Sequence, residues 1–117
     1  MRIWDLDPRL LCRQHLLGEH RELHGLWNIL TQGKSGYRNH PETRRWEGRL
    51  AALYLRHQQL VEEMTARGYD HRSPLDAGLA RGSGEQPDRV DSDEMQRRIL
   101  STKPCSCLLA PEDDMDD

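Results

Sequence analysis

Hydrophobic positions fall into three helical stripes. In the first, Cys12, Leu16, Leu23, Trp27 and Leu30 recur with a period near 3.6, which predicts a helix with one buried face. Its start follows "DLDP", where Asp7 can cap and Pro8 fits the first helical position, and "QGKSGY" should end it. A second start lies in "NHPETRRW": Asn39 or His40 caps, Pro41 opens the helix and Glu42 favours its positive end. Trp46, Leu50, Leu53, His57, Leu60, Val61 and Met64 carry the stripe on to Gly68, a left-handed stop. One helix over 41–67 would be roughly 40 Å long. Beyond it, "DHRSPLDAGLA" predicts a loop and a short turn opened by Ser73 and Pro74. "RGSGEQPDR" has the composition of a linker, and "VDSDEMQRRILS" that of a short capped helix.

The expected fold is all-α, a compact bundle of three main helices around one small core, occupying residues 1–103. Residues 104–117 form an acidic, irregular tail that should be disordered. The absence of Phe and the high share of charged residues suit a thin helical core. No apolar run approaches the ~18 residues of a membrane span. "MRIWDLDP" has no signal-peptide core, and the three cysteines make no paired framework. A cytoplasmic, monomeric protein without membrane partners is expected. Charge divides unevenly: residues 1–74 hold twelve Arg and Lys against nine Asp and Glu, and residues 75–117 hold five against eleven. A polyanionic partner therefore suits the first two-thirds of the chain.

The first helix concentrates the chemistry in "RQHLLGEHRELH". With Gln14 at zero and about 100° per residue, Arg21 falls near −20°, Gly25 near 20°, Gly18 near 40°, Glu22 near 80° and His15 near 100°. The core stripe lies near 170° by the same count. Each interior glycine costs ~1 kcal/mol against alanine, so this face should meet something bulky, a helix or a ligand. Read alone, such a face is most simply solvated. His20 and His24, one turn apart, are placed to share an ion, but "HREL-H" puts its glutamate one position late for a zinc-protease motif. No metal site and no cofactor are expected there. Cys105 and Cys107 read as inert thiols, His57 as a buried hydrogen-bonded histidine, and His40 and His71 as structural loop residues.

"RQHLLGEHREL" resembles the helix that carries the chemistry in the phage pyrimidine-dimer DNA glycosylases, the pyrimidine-dimer type of endonuclease V. "MRI" is similar to that family's start, "GYRNHPET" to the second-helix region of its bacterial branch, and "LYLRHQQLVEEMTARGYDH" to its helix end. Together these motifs cover roughly residues 1–75, in the family's order and spacing.

The resemblance implies a helical DNA repair enzyme, acting without a cofactor on double-stranded DNA that contains a lesion. Its nucleophile would be the N-terminal α-amine, here that of Met1, since Arg2 blocks methionine removal. Glu22 matches the family's essential glutamate. Arg2, Gln14 and Arg21 match residues that hold phosphates and the opposite strand, and His15 matches an active-site histidine.

An α-amine titrates near ~8, well below lysine, and Lys34 is the only lysine in the first hundred residues. Arg45, Arg49 and Arg56 would form a stripe on the second helix able to follow a phosphate backbone, with Arg45 and Arg49 as expected DNA contacts. Gly25 stands where the phage enzyme carries an arginine, His24 replaces a proline, and the phage enzyme's aromatic, basic tail is absent. Two rival readings are a non-catalytic helical DNA-binding module and a metal-dependent hydrolase using His20 and His24.

Overall fold

The structure, a computed structural model, describes residues 2–104 and 107. Met1, Cys105 and nearly all of the expected acidic tail lie outside the described residues.

Four α-helices follow one another: α1 (Arg13–Gln32), α2 (Pro41–Arg45), α3 (Leu50–Ala66) and α4 (Asp93–Ser101). Short 3-10 turns lie at Pro8–Leu10 and Ala77–Leu79. Asp7 and Pro8 start the first of these turns rather than α1: the Asp7 carboxylate accepts from the Arg9 amide at 2.9 Å. The chain then extends through Leu11 and Cys12 before α1 begins. That detour buries Ile3, Trp4, Leu6 and Leu11. The N-terminal segment is therefore part of the core rather than a lead-in to it. Gly33, at φ 68°, ends α1.

The expected single helix over 41–67 is two. The His40 imidazole accepts from the Glu42 amide at 3.0 Å and starts α2, but Gly48 turns left-handed at φ 73° and breaks the run. Trp46 stays in the core because its indole donates to Glu42 Oε1 at 3.0 Å. The new helix start at Leu50 needs acceptors for its first amides. Residues 81–83 supply them: Ala51 donates to the Arg81 carbonyl at 2.9 Å and Ala52 to the Ser83 carbonyl at 3.0 Å, while Ser83 donates back to the Gly48 carbonyl at 2.9 Å. The expected linker is thus a fitted cap. Gly82 sits at φ 84°, where an added Cβ would lie 2.2 Å from the Gly48 carbonyl oxygen.

Leu16, Leu23, Leu26 and Trp27 of α1 share one core with Leu53, Leu60 and Met64 of α3. Two buried arginines make three ion pairs inside it. Arg56 grips Glu19 with both forks, at 2.6 and 3.0 Å, and donates to the Leu6 carbonyl at 2.8 Å. Arg45 pairs with Glu42 at 2.6 Å and Asp5 at 3.1 Å, and donates to the Ile3 carbonyl at 3.0 Å. On the other side Ser92 caps α4, whose buried Gln96 accepts from the Asp5 amide at 2.7 Å and donates to its carboxylate at 2.9 Å. Residues 3–6 are clamped by α2, α3 and α4 together. No helix among the described residues is long and apolar enough to cross a membrane.

Candidate active site on the first helix

Helical spacing brings Gln14, His15, Gly18, Arg21 and Glu22 to one side of α1. Arg2 and Trp4 face them from the clamped N-terminal segment. Together with Glu19 they line one open depression of about 350 Å³. A second depression of about 610 Å³ shares Gln14, Gly18 and Arg21 and adds Cys12, Arg13, Leu17 and Pro104. Trp4 is buried and meets the His15 ring edge-on at 6.0 Å. The Arg2 guanidinium lies 4.9 Å from the centre of the Trp4 ring and pairs with Asp91 at 2.8 Å. Partial burial, then the charge of Lys103, holds the His15 imidazole below its ordinary range. At neutral pH it is a neutral donor and acceptor rather than a cation.

Gly18 and Gly25 have nothing within 4 Å of the position a Cβ would take. Among the described residues no helix uses their small size, and the surface there is bare.

The arginines separate into two groups. Arg45 and Arg56 are 7% and 8% exposed, and the break at Gly48 takes Arg45 off the helix that carries Arg56. The surface stripe expected on the second helix does not form. Arg49 is held by Asp88 at 2.7 Å and by the Arg45 carbonyl at 2.9 Å. By contrast, the side chains of Arg13 and Arg21 have no hydrogen-bond or ion-pair partner among the described residues, and both are exposed. Arg13 and Arg21 are the cations of α1 open to a polyanion; Lys34, Arg44, Arg81 and Lys103 are exposed elsewhere on the surface. Sequence reasoning did not place Trp4 or Glu19 at the site: Trp4 reads simply as a core aromatic, and Glu19 of α1 is buried by its pairing with Arg56, which no local pattern shows.

The model of the pyrimidine dimer DNA glycosylase family matches residues 1–77. The chain belongs to that family. The general activity is thus that of a DNA glycosylase, with DNA as substrate. The matched span holds α1, α2, α3 and almost the whole depression; α4 and the cap at 81–83 lie beyond it. No curated protein and no solved structure matches the chain.

This glycosylase carries two further clusters of possible metal ligands. The Sγ atoms of Cys12 and Cys107 lie 3.2 and 3.4 Å from His15 Nδ1. Away from the depression, His20 and His24 meet His57 of α3 and His71 of the following loop. Burial, followed by the three neighbouring rings, pushes the His20 imidazole down to about 4, and burial lowers His24 and His57 as well. The sequence shows only the His20 and His24 half of this cluster as a local pattern.

Proposed function

We propose that this glycosylase is also an abasic-site lyase whose nucleophile is the α-amine of Met1. The observation that carries the reading is the gathering of Arg2, Gln14, His15, Arg21 and Glu22 around one open depression, beside the residue that follows Met1 in the chain. The amine attacks C1′ of the lesion nucleotide, and the bond from C1′ to the base breaks with its electron pair leaving on the base. Opening of the sugar ring gives a Schiff base between C1′ and the amine. Loss of a C2′ proton then expels the 3′ phosphate and nicks the strand.

Each side chain has a task that its position suits. Glu22, exposed on α1, stabilises the positive charge that develops at C1′ and moves protons during elimination. Arg21 and Arg13 hold phosphates, Gln14 and Arg2 contact the strands beside the lesion, and neutral His15 hydrogen-bonds within the site. The bare helix surface at Gly18 lets a sugar or base approach the backbone closely. Arg45 and Arg56 act one step back, holding the carbonyls of Ile3 and Leu6 and so the segment that carries the amine.

The test is borohydride trapping. Untagged protein is incubated with labelled duplex containing an abasic site, and in parallel a cyclobutane pyrimidine dimer. A covalent complex should form, and should disappear on N-terminal acetylation and in Glu22→Gln. Absence of trapping on both substrates, with folded protein and a free amine, refutes the lyase mechanism.

A further inference from the structure

The four histidines remote from the depression form a site of their own. His24 Nε2 lies 3.2 Å from His20 Nε2 and 3.2 Å from His57 Nε2, and His71 Nε2 lies 3.1 Å from His20 Nε2. All four ligand atoms fall within 4.8 Å of one another. Nitrogens bound to a tetrahedral zinc ion at about 2.0–2.1 Å are separated by about 3.3–3.4 Å. The three measured contacts are close to the edges of that tetrahedron.

Hydrogen bonding among the rings does not account for the arrangement. Each Nε2 has one in-plane position, filled by either a proton or a lone pair. His20 and His24 each turn that one position to two neighbours. Four such nitrogens can make at most two good hydrogen bonds, whereas a central cation takes all four lone pairs. One second ring nitrogen is arranged accordingly. His57 Nδ1 lies 2.8 Å from the side-chain oxygen of Gln58, which fixes the proton on Nδ1 and leaves Nε2 as a lone pair facing the cluster. Partners of this kind orient histidine ligands in metal sites.

We propose that His20, His24, His57 and His71 bind one divalent transition ion, zinc(II), through their Nε2 atoms. An all-imidazole tetrahedral set suits zinc among the divalent ions. Four protein ligands close the coordination shell, so the ion is structural and has no position for substrate. It adds the loop after Gly68 to α1 and α3, which the neighbouring Glu19–Arg56 pair already ties together. On the helical wheel His20 and His24 stand about 160–200° from Glu22 and about 60–100° from Arg21, and neither lines the depression. The site therefore stands whether or not Met1 supplies the nucleophile.

The experiment uses the full chain, stripped with a chelator and titrated with zinc(II) against a chromophoric competitor, then with cobalt(II). One ion per chain is expected, with the intense visible bands of four-coordinate cobalt and a higher melting temperature. His71→Ala, in the loop after α3, and His20→Ala should each weaken binding by at least about tenfold. Cys107→Ser should leave it unchanged. Several results overturn the proposal: no stoichiometric binding, a six-coordinate cobalt spectrum, or unchanged affinity in folded His71→Ala. Loss in Cys107→Ser but not in His71→Ala would also overturn it, by moving the ion to the sulfur cluster.

Discussion

Gly18 separates the demands of folding from those of substrate. Its Cβ position is empty on the protein side, so Gly18→Ala should stabilise α1 by up to ~1 kcal/mol, read as a higher melting temperature. The same methyl group stands in the shared floor of both depressions, so lesion-DNA binding should weaken. A variant that gains stability and keeps full DNA affinity would show that nothing approaches that surface. His15 makes a second prediction. Its folded pKa lies below 6.5, so between that value and 6.5 the unfolded chain binds more protons than the folded one. Its contribution to stability is complete above about 6.5 and is lost as pH falls toward the folded value. An NMR titration of His15 should give a midpoint below 6.5, and one at or above 6.5 would contradict the burial.

At the scale of elements, the stops were legible and the breaks were not. Gly33, Gly68 and Ser92 act where their residue types suggest, because caps depend on local chemistry. Gly48 passed as an interior residue because the apolar stripe runs past it on both sides, and one glycine costs a helix only ~1 kcal/mol. The cap at 81–83 had no side-chain signal at all, being made of backbone carbonyls and a glycine. It can be tested at Gly82, where a left-handed φ and a collision with the Gly48 carbonyl coincide. Gly82→Ala should cost at least about 1–3 kcal/mol in chemical denaturation, the backbone penalty alone.

The pair joining α3 to α1 makes a different forecast. Glu19→Ala leaves Arg56 charged and buried, a loss of about 3–5 kcal/mol, while replacing both residues with apolar ones of similar volume should recover most of it. The candidate site was legible wherever its residues share α1, since helical spacing alone unites Gln14, Arg21 and Glu22. The arginine stripe and the four-histidine cluster depend on how α1, α3 and the loops pack, which periodicity does not encode.

For the whole molecule, burial leaves the positive excess of the first two-thirds of the chain at the surface: Arg45 and Arg56 go inside with Glu19, Glu42 and Asp5, two positive charges against three negative. Arg13 and Arg21 carry part of that excess beside the depressions. DNA affinity should therefore fall with rising salt. Each of these two arginines, changed to alanine, should reduce the slope of log affinity against log salt by about 1, with Arg45→Ala leaving it unaltered where the protein still folds. A slope set by Arg45 rather than by Arg21 would reverse this account.

The clamp on residues 3–6 also governs the order of events during folding. Residues 3–6 are held by Arg45, Arg56 and Gln96, the last of them up to 91 positions later in sequence. Contacts so distant in sequence are made late. A chain that has formed α1 but not yet docked α4 thus lacks the Gln96 hold on Asp5. The N-terminal wall of the depression is completed by the farthest contact, not by the helix it faces.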